Sequence, residues 1–346
     1  MTFGIIGSGS WGTAIAKILT DNGNHLHWWN RSEETIEQFK QLGHNPQYLT
    51  SVRFDMNRLQ FSSAAQEVIG QSDVIVIAVP SAYVVSVLSS LPKDIFVGKK
   101  IISAVKGILP QENVLLNDYL LQQFGVSLPD YFAVLGPCHA EEVAAEKLSY
   151  LTFTGVDQVV NKKIAEQFNT KYINTILNKD IYGVQYAAIL KNIYAVGAGI
   201  AHGLEYGDNF LSVLIANSAD EMAGFLRKAG IINAEVGYID HHKQASPQQV
   251  HHNYAASVYL GDLLVTCYSV FSRNRTFGKM VGSGLTIEAA QAEMKMIAEG
   301  YNASKCMYLI NQTIGADMPI ATAVYQMLWE QLAPSKGCQS IEEVLV

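Results

Sequence analysis

The sequence of 346 residues carries 31 acidic against 24 basic side chains, a formal net charge of −7, and is 49% hydrophobic. That balance excludes a disordered chain and gives no general basic field for nucleic acid or an anionic membrane surface, so any anionic ligand must be held by a small local site. The length exceeds what one core usually serves and predicts two domains, while the lack of a secretion-type leader and of any apolar run near ~20 residues predicts a cytoplasmic protein with no integral membrane segment.

An apolar, strand-like run at residues 3–7 opens the chain, followed at once by Gly7-Ser8-Gly9-Ser10-Trp11-Gly12 and a helix-like run at 13–19. In that setting the glycines have separate tasks. Gly7 permits the sharp strand-to-helix turn, Gly9 lets a pyrophosphate approach the backbone, and Gly12 lets the helix pack close to the strand. Glycine turns also serve plain connections, but this placement predicts a dinucleotide site. The next strand, 26–29, ends at Asn30-Arg31, where strict NAD enzymes usually place an acid for the ribose 2′-hydroxyl. Asn30 can still bond a hydroxyl and Arg31 can pair with a 2′-phosphate, so NAD and NADP are both expected, with NADPH at least as good as NADH. The plain alternative is an Arg31 that points into solvent.

Further β-rich runs at 74–79, 101–105, 132–136 and 151–155 alternate with helical stretches, the pattern of a doubly wound, Rossmann-like parallel α/β sheet over residues 1–180. Residues 74–79 are apolar on both faces, as a central parallel strand must be, and Pro80 ends that run at the carboxyl edge where ligands bind. Beyond about residue 180, helical stretches at 184–204, 210–228, 304–314 and 321–332 predict an all-α second domain, 181–346.

Lys191 interrupts the apolar run 186–198, where burying an ammonium would be costly. Two readings fit: a lysine that snorkels from one helix edge, or a proton donor beside a reducible carbonyl, with the neighbouring Asn192 as a fixed dipole for the developing oxyanion. Apolar surroundings would lower its pKa and a nearby carboxylate would raise it, a combination suited to proton transfer. Downstream, 261–267 (Gly-Asp-Leu-Leu-Val-Thr-Cys) precedes Ser272-Arg273-Asn274-Arg275. The forked donors of Arg273, with Ser272 and Asn274, would suit a phosphate, whereas the same segment read alone would be a solvated turn. Cys138, Cys267, Cys306 and Cys338 form no CxxC pair and read as reduced thiols, and no metal site is expected.

Taken in order, Gly7 to Gly12, Val105-Lys106-Gly107, residues 136–142 (Gly-Pro-Cys-His-Ala-Glu-Glu), Leu190-Lys191-Asn192, residues 261–267, Ser272 to Arg275, and Ala298-Glu299-Gly300 make the chain resemble the NAD(P)-dependent glycerol-3-phosphate dehydrogenases from end to end. The resemblance implies reversible reduction of dihydroxyacetone phosphate to sn-glycerol 3-phosphate, supplying phospholipid synthesis. Lys191 would donate and accept the proton, with Lys106 at the substrate. Asp262 and Thr266 would support the lysine and the substrate; Ser272, Arg273 and Asn274 would hold the phosphate; Gly136 and Cys138 would flank the substrate. Ser10, Trp11, Arg31, Lys106, Ala140, Arg273, Ile297 and Glu299 fall on positions that contact the dinucleotide in bacterial relatives, and a homodimer is expected.

Three departures stand out. Asn217 replaces a usual arginine; the connector 231–254 is long and holds His241, His242, His251 and His252; and Cys138 replaces a hydroxyl. The connector reads as a solvated loop before an oligomer contact or a metal site, and Cys138 and His139 as packing residues, since ketone reduction needs no thiol nucleophile. The competing functions are a reductase of another phosphorylated or carboxylated small substrate and a silent dinucleotide sensor, the latter disfavoured by Lys106, Lys191 and Asp262.

Overall fold

The computed structural model describes residues 1–231, 255–294 and 296–346, and the chain divides into two compact units, Met1–Ile181 and Tyr182–Val346. In the first unit, β1 (Phe3–Ile6), β2 (Leu26–Trp29), β3 (Leu59–Ser62), β4 (Val74–Ile77), β5 (Lys100–Ser103), β6 (Tyr131–Leu135), β7 (Ser149–Gly155) and β8 (Ile173–Asn178) form one sheet in the order β3-β2-β1-β4-β5-β6-β7-β8. Its helices are α1 (Ser10–Asp21), α2 (Glu33–Leu42), α3 (Ala65–Gly70), α4 (Ser81–Leu88), α5 (Leu116–Phe124), α6 (Ala140–Ala144) and α7 (Gln158–Glu166). From β1 the chain winds outward through β2 and β3, then returns to β4 and winds the other way. The reversal puts β1 against β4, paired in parallel from Phe3↔Val74 to Ile6↔Ile77, and ligands bind such sheets at the carboxyl ends of those two strands. Both strands are buried throughout, as their unbroken apolar sequences require.

The sheet differs from the expected all-parallel arrangement at one pairing, because β7 runs antiparallel to β6. Between these strands the only helix is α6, five residues long. With residues 136–148 as its whole length, the connection sits at the lower limit of about a dozen residues for a parallel crossover, and the antiparallel return is the shorter path. Two strands went unanticipated, β3 (Leu-Gln-Phe-Ser) and β8 (Ile-Asn-Thr-Ile-Leu-Asn). Both are edge strands, where one-sided pairing tolerates polar residues and weakens the hydrophobic signal. The core beside β2 is aromatic: Trp28 packs on Phe39, Phe54 and Phe61 with ring centroids 5.2 to 5.7 Å apart. Truncating a ring so placed costs roughly 3–5 kcal/mol.

The second unit comprises α8 (Ile181–Gly203), α9 (Asp208–Lys228), a π-helical segment (Ala255–Gly261), α10 (Asp262–Tyr268), α11 (Arg273–Gly282), α12 (Ile287–Glu293), α13 (Glu299–Ile314), α14 (Pro319–Trp329) and α15 (Pro334–Glu342), with no strand among the described residues. Helix α8 buries Val184, Ala188, Leu190, Ile193, Val196 and Ile200, which do not share one stripe; a helix apolar all round is a core helix. Helix α11 crosses it backbone to backbone, since a Cβ on Gly199 would strike the Arg275 carbonyl and one on Gly278 the Val196 carbonyl. On α9, Asn217 clasps Val346: its Nδ2 donates to the Val346 carbonyl at 3.0 Å, and the Val346 amide donates to its Oδ1 at 3.2 Å. No helix of the described residues is long and apolar enough to cross a membrane. All four cysteines are free and buried, and residues 232–254, with the four connector histidines, lie outside the described residues.

Candidate active site

The amino-terminal unit places its candidate residues around the start of α1. Gly7 leaves β1 with φ +122°, a conformation that side chains rarely adopt, and its carbonyl accepts from Trp28 Nε1 at 3.0 Å. A Cβ on Gly12 would strike that same carbonyl, which fixes glycine there for close helix–strand packing. Gly9 is different: a Cβ built on it meets nothing within 4 Å, so the turn opens a cradle at the residue expected to face a pyrophosphate. No side chain caps α1 at Gly9, and an uncapped helix start offers partial positive charge to an anion. Ser10 is buried in this turn and Trp11 half-buried. The Lys106 ammonium lies 5.0 Å from the centroid of the Trp11 ring, which brings the Val-Lys-Gly motif to the glycine turn. Trp11 Nε1 is buried and has no hydrogen-bond partner among the described residues, a donor suited to a polar ligand. Cradle, helix start and unpartnered donor together fit a dinucleotide.

Arg31 is exposed directly ahead of Ser32, whose hydroxyl accepts from Thr35 N at 3.2 Å to cap α2. Asn30 is buried, and its Oδ1 accepts from Ser32 N at 3.2 Å, so it shapes this corner and leaves its Nδ2 as donor. Gly136 turns the chain out of β6 at φ +123°, and Cys138 and Ala140 lie in the same buried cluster as Ala14, Val76 and Ala78. The packing reading of Cys138 matches that burial.

In the helical unit, Lys191 and Asp262 are 3% and 1% exposed and form an ion pair through Lys191 Nζ and Asp262 Oδ1. Lys191 is therefore no snorkelling residue. Removing one partner of such a pair costs about 3–5 kcal/mol because the other charge is left buried. Asp262 Oδ2 is buried and has no hydrogen-bond partner among the described residues. Asn274 Nδ2 donates to Asn192 Oδ1 at 2.9 Å, and Asn274 Oδ1 accepts from Gly300 N at 2.9 Å. This chain pins the Asn192 carbonyl and so turns its NH2 group the other way, as a donor. Three of the sequence motifs thus meet in one hydrogen-bond series. Thr266 Oγ1 donates to the Asp262 carbonyl at 2.6 Å, steadying the helix that carries the carboxylate. Ser272 caps α11 by accepting from Arg275 N at 3.3 Å, and the exposed Arg273 follows at the first helical position with Nη1 3.7 Å from Met296 Sδ. Ile297 and Glu299 are half-buried at the start of α13. Cys267, next to Thr266, is fully enclosed; burial pushes its thiol up to about 12 against the pull of Lys191 and Arg275, so it stays neutral.

Sequence motifs did not mark Glu221. It lies buried on α9, where Oε2 accepts from Ile320 N at 2.7 Å and Oε1 from Ala321 N at 2.9 Å and Tyr194 Oη at 3.1 Å. It caps α14 and ties it to Tyr194, one turn beyond Lys191. Burial raises its carboxyl to about 7 despite those three donors. The available signal was the Asp220-Glu221 pair within the helical pattern of 210–228, of which only Glu221 is buried. Asn45 was missed as well, in a loop with no motif.

A family model described as NAD-dependent glycerol-3-phosphate dehydrogenase N-terminus matches residues 2–161, and one described as NAD-dependent glycerol-3-phosphate dehydrogenase C-terminus matches residues 180–339. The chain is 32% identical over 331 residues to a glycerol-3-phosphate dehydrogenase (NAD(P)+) of Chlorobium limicola, covering 95% of this chain and 94% of that protein. It is 31% identical over 338 residues to one of Geobacillus kaustophilus, covering 97% and 93%. The crystal structure of glycerol-3-phosphate dehydrogenase from Coxiella burnetii superposes with a TM-score of 0.84 at 25% identity, covering 99% of this chain and 98% of that one.

Proposed function

The chain belongs to the NAD-dependent glycerol-3-phosphate dehydrogenase family, and from that premise we propose that its buried Lys191 moves the proton in NAD(P)-linked interconversion of dihydroxyacetone phosphate and sn-glycerol 3-phosphate. The observation that carries this reading is the enclosed ion pair that Lys191, on the apolar core helix α8, makes with Asp262 of α10, beside an Asn192 whose NH2 group is set as a donor.

Bound nicotinamide supplies the hydride to the carbonyl carbon. As that carbon gains the hydride, its oxygen gains electron density and needs a proton. The Lys191 ammonium donates it, Asn192 Nδ2 steadies the oxygen meanwhile, and the neutral amine regains a proton from solvent after turnover. Asp262 favours the charged lysine and fixes its direction. Arg273 and the Ser272 hydroxyl hold the substrate phosphate, and Asn274 acts chiefly by orienting Asn192. In reverse, the neutral amine takes the proton from the glycerol hydroxyl. In the other unit the glycine turn holds the pyrophosphate, Trp11 and Lys106 line its approach, and Arg31 meets the ribose 2′-phosphate, so NADPH serves at least as well as NADH. A cytoplasmic homodimer that supplies glycerol 3-phosphate for phospholipid synthesis completes the reading.

The test is the oxidation of NADH and of NADPH by purified protein with dihydroxyacetone phosphate or with 2-oxoacids as acceptor. Turnover on the phosphorylated triose and none on the acids is expected. The opposite pattern overturns the substrate assignment.

A further inference from the structure

Asn45 lies in the loop after α2, outside every motif that marked the dinucleotide site, yet it is 1% exposed and every polar atom of its side chain is engaged. Its Oδ1 accepts from Gln47 N at 3.0 Å and Tyr48 N at 3.1 Å. Those two amides settle which way the carboxamide faces, so its donors must point away from the loop. There Nδ2 donates to the Ser8 carbonyl at 2.9 Å and to Thr13 Oγ1 at 2.8 Å, and Thr13 Oγ1 in turn donates to the Gly9 carbonyl at 2.9 Å. With Trp28 Nε1 on the Gly7 carbonyl, three successive carbonyls of the glycine turn are each held by a side chain of the same unit.

The consequence follows from peptide geometry. In a planar trans peptide the N–H points opposite to the C=O of the preceding residue. Holding the Ser8 carbonyl toward Asn45 therefore aims the Gly9 N–H the opposite way, and the turn has room beside Gly9, where an added Cβ would meet nothing within 4 Å. An isolated glycine turn would sample many orientations, and ordering it on binding costs conformational entropy. A turn whose carbonyls are already held has met that cost on folding.

We infer that Asn45 is a positioning residue for the dinucleotide: it holds the Ser8 carbonyl, and through Thr13 the Gly9 carbonyl, so that the turn's amides face the pyrophosphate before the cofactor arrives. The inference rests on the dinucleotide reading above and adds a residue from a remote loop to it.

Fluorescence titration with NADPH on the whole protein, paired with steady-state kinetics, tests it. Asn45→Ala removes both donors without adding charge, and its Kd for NADPH should rise about tenfold, the loss appearing in KM for NADPH while KM for dihydroxyacetone phosphate is unmoved. Thr13→Val, which breaks only the relay, should weaken NADPH about threefold, and Thr13→Ser, which keeps the hydroxyl, should restore wild-type affinity. The Thr13 pair carries the test on its own if Asn45→Ala does not fold. A purely structural Asn45 would instead lower Tm and leave the Kd of the folded protein unchanged; wild-type NADPH affinity in folded Asn45→Ala, or in Thr13→Val, overturns the inference. Failure of the wild-type protein to bind either nicotinamide dinucleotide is a different result, which overturns the cofactor reading itself.

Discussion

The two candidate centres of this chain are built on opposite plans. At the glycine turn the expected binding groups are backbone amides of neighbouring residues, and side chains serve to hold the carbonyls away. In the helical unit the working groups are side chains from three separate segments, Lys191-Asn192, Asp262 and Asn274, drawn together by buried polar contacts, one of them from the Gly300 backbone amide, and by a backbone-to-backbone helix crossing. A backbone site is disabled by adding an atom in the wrong place. A side-chain site is disabled by taking a charge away. Substitutions in the two regions should therefore fail in different ways.

The largest effect is expected at the buried lysine. Lys191→Ala should lower kcat by about 10³ to 10⁴, the size of general acid catalysis with its oxyanion contact, while leaving NADPH affinity within about twofold. Turnover near the wild-type rate would remove Lys191 from the chemistry. Next in size is a pH effect on stability at Glu221, whose carboxyl is raised from 4.5 to about 7 in the fold by burial. Because the folded state holds this proton more tightly than the unfolded chain, stability is full below pH ~4.5 and declines as pH rises toward ~7, by about 3 kcal/mol in all. Thermal denaturation of wild type and Glu221→Gln between those limits should show the decline in the first and a flatter profile in the second; parallel profiles would assign the slope elsewhere.

Arg273→Ala should raise KM for dihydroxyacetone phosphate about 10- to 100-fold, through loss of a charge-assisted contact at an exposed helix start. An unchanged KM would place the phosphate on other residues. The smallest effect is expected at Arg31, which is exposed: Arg31→Ala should weaken NADPH about three- to tenfold and leave NADH nearly untouched. Equal small changes with both cofactors would return Arg31 to solvent.

The same contrast explains what the sequence disclosed. Residues 7–12 were readable because the turn, the helix start and the ligand-facing glycine are contiguous, so spacing alone carries the geometry. The apolar runs of β1, β4 and β6 are unbroken because these strands are buried on both faces, and β2, β5 and β7 keep enough apolar residues to stand out from the helical stretches between them. Edge strands β3 and β8 leave no such run, and the antiparallel turn of β7 goes with a connection near the lower limit for a crossover, which no single residue announces. In the helical unit Lys191 was conspicuous as a charge in an apolar run, while its link to Asp262 came from the family resemblance and not from spacing, because the pairing depends on helix packing. Asn274 was expected at the phosphate, and the structure engages its carboxamide with Asn192 and Gly300, a role set by the α8–α11 crossing. Asn45 and Glu221 escaped notice because each acts on a segment far away in the chain, the glycine turn for one and the start of α14 for the other.

A side-by-side NADPH titration and turnover assay of Gly9→Ala and Lys191→Ala tests this division of labour most directly. The Gly9 Cβ would enter space that no protein atom fills within 4 Å, so Gly9→Ala should keep its Tm and lose NADPH affinity by about tenfold or more. Lys191→Ala should bind NADPH and fail to turn over. Wild-type NADPH affinity in Gly9→Ala, or loss of NADPH binding in folded Lys191→Ala, would contradict the assignment of the dinucleotide to the glycine turn and of the proton to the helical unit.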